Sequence, residues 1–373
     1  MDKHLHIISL DVPWPANYGG VVDIFHKIVA LHQCGVKIHL HCYSSTRAPQ
    51  DELDKYCASV NYYARKVFPA AFALGLPYIV SSRNDKRLLQ NLLEDDHPVF
   101  MEGIHCTYLL DNGALRGRRV FVRPHNVEFR YYAKLAAAEK NIFRKIYFQA
   151  ESWLLKRYEK RIANKATFWP LSVNDLLVYQ TAFTARDSEL LPAFVPWHDV
   201  STPTVKGCFC LYHGNLSVNE NERAVEWLLK EVFNDLSIPF VIAGHNPSPG
   251  LEKLVHSNSS CCLVSNPSDT ELQDMIRKAQ VNVLPSFNNT GVKLKLLNAL
   301  YNGKFCLVNT AAVAGAGIDG LCEIADSPEA FKAAAQLLYQ QPYPAETADT
   351  RQRLLHAHYD NEKNARQIID WIY

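Results

Sequence analysis

The stretch HIISLDVPWPANYGGVVDIFHKIVALHQCGVKIHLHCY, residues 6–43, decides the fold. HIISL is an apolar run of strand length, and the glycine-bearing loop DVPWPANYGG follows it. VVDIFHKIVALHQCG has helical amphipathicity and ends at Gly35, a residue suited to closing a helix. VKIHLHCY is a second strand. Strand, loop, helix and strand form a β-α-β unit, which requires a parallel sheet.

Working outward, PVFME, RVFVRPH and ATFWPLS add strands, and one long helical stretch, AKLAAAEKNIFRKIYFQAESWLLKRYEKRIANK, lies between the last two. Residues 191–207, LPAFVPWHDVSTPTVKG, carry prolines and little periodicity, which predicts a linker. The pattern then restarts. FCLYHGN, PFVIAGHN, VNVLPS and KFCLVNT are strands, with NERAVEWLLKEVF, TELQDMIRKA and SPEAFKAAAQLLYQ among the intervening helices. The expected class is α/β: two doubly wound Rossmann-like domains facing each other across a cleft. Ligands of such sheets bind beyond the carboxyl ends of the strands, so the expected site lies between the domains. The expected boundaries are 1–200, 201–355 and a C-terminal helix, 356–373, packing back towards the first domain.

A length of 373 residues suits two cores, and 48% apolar residues can fill them. With 39 Lys+Arg against 38 Asp+Glu, the overall charge does not point to a nucleic-acid partner, and any anion must be bound locally. No apolar run is long enough to span a bilayer, and MDKHLHIISLDVP lacks the pattern of a secretory signal, so a cytoplasmic protein is expected. The ten cysteines form no C-x-x-C pair and read as reduced thiols.

PSFNNTGVKLKLLNALYNGKFCLVNT, residues 285–310, begins as a loop and opens a helix with Lys293 in its first turn. A cation there opposes the helix macrodipole, by up to ~1 kcal/mol. On a helical wheel Gly291, Lys295, Asn298 and Asn302 form a polar stripe, whereas Lys293 falls among Val292, Leu296, Leu297 and Leu300. A phosphate at the helix N-terminus relieves both conflicts; the alternative is a lysine that snorkels to solvent.

This segment resembles the donor-binding region of GT-B glycosyltransferases of family 4, in the variant where G-T-K/R-L-K-x-L-E-A follows the proline strand, and Lys295 falls on its recurrent lysine. The resemblance runs on through DVPWPANYGG, RPHNVEFRYYAKL, LYHGNLSVNENERAVEWLL and FVIAGHN. It implies that Gly19 and Gly20 approach the sugar-nucleotide phosphates and that His125 lies near the donor sugar as the catalytic-site residue. It further implies that Gly214, Asn215, Gly244, Thr290, Gly291, Val292, Lys293, Lys295 and Asn298 line the donor site. Two departures stand out. Thr290 and Asn298 occupy positions where many members have glutamates, and the glycine loop offers Asn215, Asn219 and Asn221 in place of Arg and Lys.

Read alone, His125 is as readily a structural hydrogen-bonder, Glu128 a helix cap, and Gly19, Gly20, Gly214 and Gly244 simple turn residues. Glu94, Asp95 and Asp96 have the wrong spacing for a metal-binding D-x-D and read as a helix end. No metal and no cofactor are expected beyond a nucleotide diphosphate sugar as co-substrate. The expected activity is metal-independent, retaining transfer of a sugar, of hexosyltransferase type, to a hydroxyl of a glycan or lipid-linked glycan in polysaccharide biosynthesis. The alternatives are a sugar-nucleotide-binding pseudoenzyme and a GT-B sugar-nucleotide 2-epimerase. Two aromatic and basic stretches, FPAAFALGLPYIVSSRNDKR and NIFRKIYFQAESWLLKRYEKR, allow peripheral membrane contact or, more economically, pack within the first domain.

Overall fold

A computed structural model describes residues 2–373 except 72, 74, 203, 204 and 345. Pro203 and Thr204 of the expected linker, and Phe72 and Leu74 of the first aromatic stretch, therefore lie outside the described residues. The chain forms two units, Met1–Pro196 with Tyr359–Tyr373, and Trp197–His358.

In the first unit the strands are β1 (Lys3–Ser9), β2 (Val36–Ser44), β3 (Ser59–Ala64), β4 (Val99–Glu102), β5 (Val120–Arg123) and β6 (Thr167–Phe168). They pair in parallel in the order β3-β2-β1-β4-β5-β6. The second unit has β7 (Cys210–Asn215), β8 (Phe240–His245), β9 (Cys261–Ser265), β10 (Val281–Val283), β11 (Phe305–Val308) and β12 (Glu323–Ile324). Their order is β12-β11-β10-β7-β8-β9, also parallel, which repeats the first order within its own unit. Each sheet reverses direction once, between β1 and β4 and between β7 and β10, and a doubly wound sheet takes its ligand at that switch point.

Both faces of the first sheet are covered, as a parallel sheet needs. Leu5, Ile7, Ile38 and Leu40 pack against Ile24 and Ile28 of the helix Gly19–Gln33 and against Ile368 and Ile372 of the C-terminal helix Asn361–Ile372. On the other face Ile8, Val99, Met101 and Val122 meet Leu155, Tyr158 and Ile162. Asn361 holds the C-terminal helix in this unit by exchanging hydrogen bonds with the Val195 backbone at 3.0 and 2.7 Å.

Several local expectations are corrected. The long helix is two helices, Glu128–Ala138 and Ile142–Ile162, because the Asn141 side chain accepts from the amides of Phe143 and Arg144 and starts a new one. Gly19 and Gly20 are the first two residues of their helix rather than part of the preceding loop. Lys293 precedes its helix, Leu294–Asn302, as the capping residue. The polar stripe of that helix is not a solvent face. Asn298 and Asn302 are buried, and the Asn302 amide donates to Asn298 Oδ1 at 2.9 Å.

Candidate functional site

The two switch points gather different chemistry. In the first unit Glu102 ends β4, Arg123 ends β5, and Asp23 and Lys27 lie one helical turn apart on the inner face of Gly19–Gln33. All four are buried. Lys27 Nζ donates to Glu102 Oε1 at 2.5 Å and to Asp23 Oδ2 at 3.1 Å, while Arg123 grips both Asp23 oxygens at 2.9 Å. Arg123 spends its other donors on the carbonyls of Leu191 and Pro192. Two cations and two carboxylates leave the cluster neutral, which is how charge survives away from water. Burial drives Asp23 and Glu102 towards the protonated form. The Arg123 guanidinium and Lys27 ammonium outweigh it at Asp23, and Lys27 and His125 outweigh it at Glu102, so both stay ionised.

His125 sits on this cluster. Its Nε2 donates to Glu102 Oε2 at 3.0 Å, because a carboxylate accepts and cannot donate. The neutral ring then carries its lone pair on Nδ1, which lies 3.6 Å from where a Cβ on Gly20 would stand. The structure thus brings His125 and Gly20 together, with Nδ1 able to accept from a substrate hydroxyl. Asp23, Glu102 and His125 are close enough to hold a cation. Lys27 and Arg123 already compensate these carboxylates, so a metal ion there would be surplus positive charge.

Glu128 begins its helix, but it does not cap it. The cap is tertiary: Glu159, on the helix Ile142–Ile162, accepts from the Glu128 and Phe129 amides at 3.1 and 3.0 Å. Burial and the facing carboxylate of Glu159 push Glu128 up to about 8, and burial pushes Glu159 up to about 8 as well.

In the second unit the loop after β10, the helix N-terminus at Leu294 and the end of β7 converge. Lys295 Nζ donates to Tyr212 Oη at 2.9 Å and to Asn221 Oδ1 at 2.8 Å, and Asn221 Nδ2 donates to the Asn215 carbonyl at 2.9 Å. Gly214 faces the same Asn221 side chain. Both hydrogen-bond partners of Lys295 are neutral. Burial holds its ammonium down at about 8, partly offset by Glu220, with Lys293 adding to the depression. Lys293 Nζ folds back onto the Thr290 carbonyl at 2.8 Å. Thr290 is buried and gives its hydroxyl to Asn288 Oδ1 at 2.9 Å, in a turn where Gly291 has a φ of +62° that other residues resist. Val292, half-buried, joins that turn to Lys293.

Two predicted residues have structural work. A Cβ on Gly244 would come within 2.0 Å of the Gly214 carbonyl oxygen, so glycine is required there by strand packing. Asn298 keeps its side-chain oxygen on Asn302. Sequence reasoning missed Asp23, Lys27, Glu102 and Arg123, and in the second unit Tyr212, Glu220 and Ser286, whose hydroxyl donates to Glu220 Oε1 at 2.6 Å. The available signal was a charge closing an apolar run, as in VFME and VFVR.

Residues 208–341 match the family described as Glycosyl transferases group 1. A Klebsiella pneumoniae protein, described as an uncharacterized 44.6 kDa protein in the cps region, is 28% identical over 334 residues, covering 83% of this chain and 84% of the relative. Among solved structures, sucrose-phosphate synthase from Thermosynechococcus elongatus matches with a TM-score of 0.72 at 13% identity, over 99% of this chain and 98% of that one. The lipopolysaccharide outer core galactosyltransferase WaaB, in its apo form, matches with a TM-score of 0.62 at 14% identity, over 99% of each chain. The fold is GT-B, built from two Rossmann-like domains.

Proposed function

We propose that this GT-B chain, whose second unit carries the group 1 glycosyl transferase segment, moves a hexosyl group from a nucleotide diphosphate sugar to a hydroxyl of a glycan or lipid-linked glycan. The observation that carries this reading is Lys295. A partly buried ammonium at a helix N-terminus, hydrogen-bonded among the described residues to a neutral phenol and a neutral amide and depressed to about 8, is stabilised by an arriving anion. A diphosphate at the β7/β10 switch point would meet Lys295, Lys293 and the amides ahead of Leu294, with Gly214 permitting close approach.

The chemistry then needs positioning and electrostatics rather than a metal. In the second unit the lysines and backbone amides stabilise the leaving diphosphate, and in the first His125 Nδ1, its ring oriented by Glu102, offers an acceptor to a sugar hydroxyl. Transfer proceeds with retention, the leaving phosphate oxygen taking the acceptor proton on the same face. Gly19 and Gly20, at an N-terminus that the Tyr18 side chain does not cap because its hydroxyl donates to Asp11 instead, leave amides available to phosphate or acceptor.

The acceptor is a glycan of the cell surface, in keeping with the cps-region relative and with WaaB, which acts on the lipopolysaccharide outer core. Peripheral membrane contact is part of this reading. No helix among the described residues is long and apolar enough to cross a membrane. The start of the helix Ile142–Ile162, however, exposes Ile142, Phe143, Ile146 and Tyr147 beside Arg144, an arrangement suited to an anionic lipid surface.

A second reading is favoured by Asn298 and Thr290. Both side chains are committed within the protein, so the nucleotide ribose is held without a carboxylate, as in a donor-binding protein that has lost turnover. One experiment separates the readings: purified protein is incubated with a panel of nucleotide diphosphate sugars, with and without membrane glycolipid extract, and nucleotide release is measured. Acceptor-dependent release, with the product's anomeric configuration retained by NMR, supports transfer. Nucleotide binding without release across the panel supports the second reading, and release without acceptor supports an epimerase.

A further inference from the structure

On the first sheet, the face opposite the C-terminal helix changes character towards the amino ends of the strands. His4 and His6 of β1 and His39 and His41 of β2 replace the apolar residues found further along, and His97, just before β4, joins them. The inner layer is already satisfied. His6 Nδ1 meets His41 Nε2 at 2.9 Å, His6 Nε2 meets both Asp95 oxygens at 3.0 Å, and His41 Nδ1 meets Tyr63 Oη at 2.9 Å.

The outer layer is different. His4, His39 and His97 are each half-buried, and each offers one ring nitrogen, the three lying within 4.8 Å of one another. His4 Nδ1 stands 3.0 Å from His39 Nε2. The His97 ring is parallel to both others, with centroids 4.6 Å from His4 and 5.9 Å from His39. We propose that His4, His39 and His97 bind a divalent transition-metal ion of borderline softness, with Zn²⁺ the best fit.

Three imidazoles suit Zn²⁺, Co²⁺, Ni²⁺ or Cu²⁺ and exclude Mg²⁺ and Ca²⁺, which take oxygen. Tetrahedral Zn–N bonds place the nitrogens about 3.3 Å apart. The His4–His39 pair is already nearly there, and His97, stacked parallel to both in a connecting segment, turns its ring out of the stack to aim its in-plane lone pair at the ion. Neutral rings need lose no proton: the hydrogen shared between His4 and His39 moves to the opposite nitrogen of its ring, leaving a lone pair for the ion. On His39 that opposite nitrogen, Nδ1, is 3.0 Å from Ser59 Oγ, which accepts it and fixes the ring. Asp95 accepts from the His97 amide at 2.9 Å and so sets the third ligand's backbone. Solvent reaches the trio, leaving a fourth position for water.

The trio lies at the amino ends of the strands, whereas Glu102 and His125 lie at the carboxyl ends. The ion therefore ties residues 4, 39 and 97 together and takes no part in sugar transfer.

The test uses the full-length chain without an affinity tag, titrated with Co²⁺ while visible ligand-field absorption is followed. One Co²⁺ per chain is expected, displaced by Zn²⁺ and not by Mg²⁺. His97→Ala and His4→Asn should each weaken Co²⁺ binding by more than about 10-fold, and Ser59→Ala by about 10-fold. His256→Ala, an exposed helix-end control, should change nothing. His97 is outside any strand, so its variant should keep the metal-free melting temperature, which circular dichroism checks. Absence of sub-millimolar Co²⁺ binding in the wild type, or equal affinity in a folded His97→Ala or His4→Asn variant, overturns the proposal.

Discussion

Lys27 and Lys295 are both lysines close to a switch point, yet they answer burial in opposite ways. Lys27 is fully enclosed and touches two carboxylates, so its charge is matched inside the protein. Lys295 is only partly enclosed, and its hydrogen bonds go to neutral atoms. Removing a matched charge strands its partners; removing an unmatched one strands nothing but takes away affinity for an anion. A charged residue is thus read for structure or for ligand by what already neutralises it.

The largest expected effect is on the matched side. Lys27→Met leaves Asp23 and Glu102 facing each other with one cation fewer, and should destabilise the protein by about 3–5 kcal/mol in urea unfolding. A melting curve like the wild type's would erase the distinction between the two lysines.

Lys295→Met should not lower the unfolding midpoint, because it removes a charge that burial disfavours, and should weaken nucleoside diphosphate binding by about 1.5–3 kcal/mol, roughly 10- to 150-fold by calorimetry. Lys293→Ala should act in the same direction, with folding intact. If either variant binds as tightly as wild type, its lysine does not hold the diphosphate. The same lysine predicts a pH dependence. With its ammonium depressed to about 8 in the free protein, the cation is progressively lost above that pH, so affinity should fall as pH rises past about 8, and Lys295→Met should flatten the curve.

His125→Ala removes an acceptor from the edge of the matched cluster without breaking the Lys27 pairs. The net worth of one neutral hydrogen bond, about 0.5–1.5 kcal/mol, sets a loss of up to about 10-fold in kcat/KM, and the lost bond to the buried Glu102 carboxylate sets a smaller stability loss than that of Lys27→Met, about 1.5–3 kcal/mol. An unchanged kcat/KM with the same stability loss would make His125 a structural member of the cluster only.

A third kind of buried charge is one neutralised by a proton, and its test is a change of slope rather than a loss of stability or binding. Glu128 and Glu159, raised to about 8 from an ordinary 4.5, bind more protons folded than unfolded between those values. Stability therefore falls as pH rises from about 4.5 to about 8. Glu128→Gln should make that decline in melting temperature shallower, and an unchanged slope would show that Glu128 is ionised in the folded chain.

Much of this was legible in residues 6–43 and 285–310, because helical and strand periodicities record which face is buried. β3 and β9 escaped notice because they are edge strands, half-buried, with weak apolar patterns. The split at Asn141 escaped because a cap depends on one side chain turning back on its own backbone. Lys293 and Lys295 were visible as charges in an apolar helix start. The reach of Lys295 to Tyr212 and Asn221, 83 and 74 positions away in the chain, was not.

The sequence by itself determined the alternation of strands and helices and the two-domain α/β class, since these follow from local pattern and chain order. Tertiary structure alone decided which charges are matched, that Asn298 serves Asn302, that His125 leans on Glu102, and that His97 stacks with the histidines of two strands. Pairing of side chains remote in sequence depends on strand order and register, and no local periodicity encodes either.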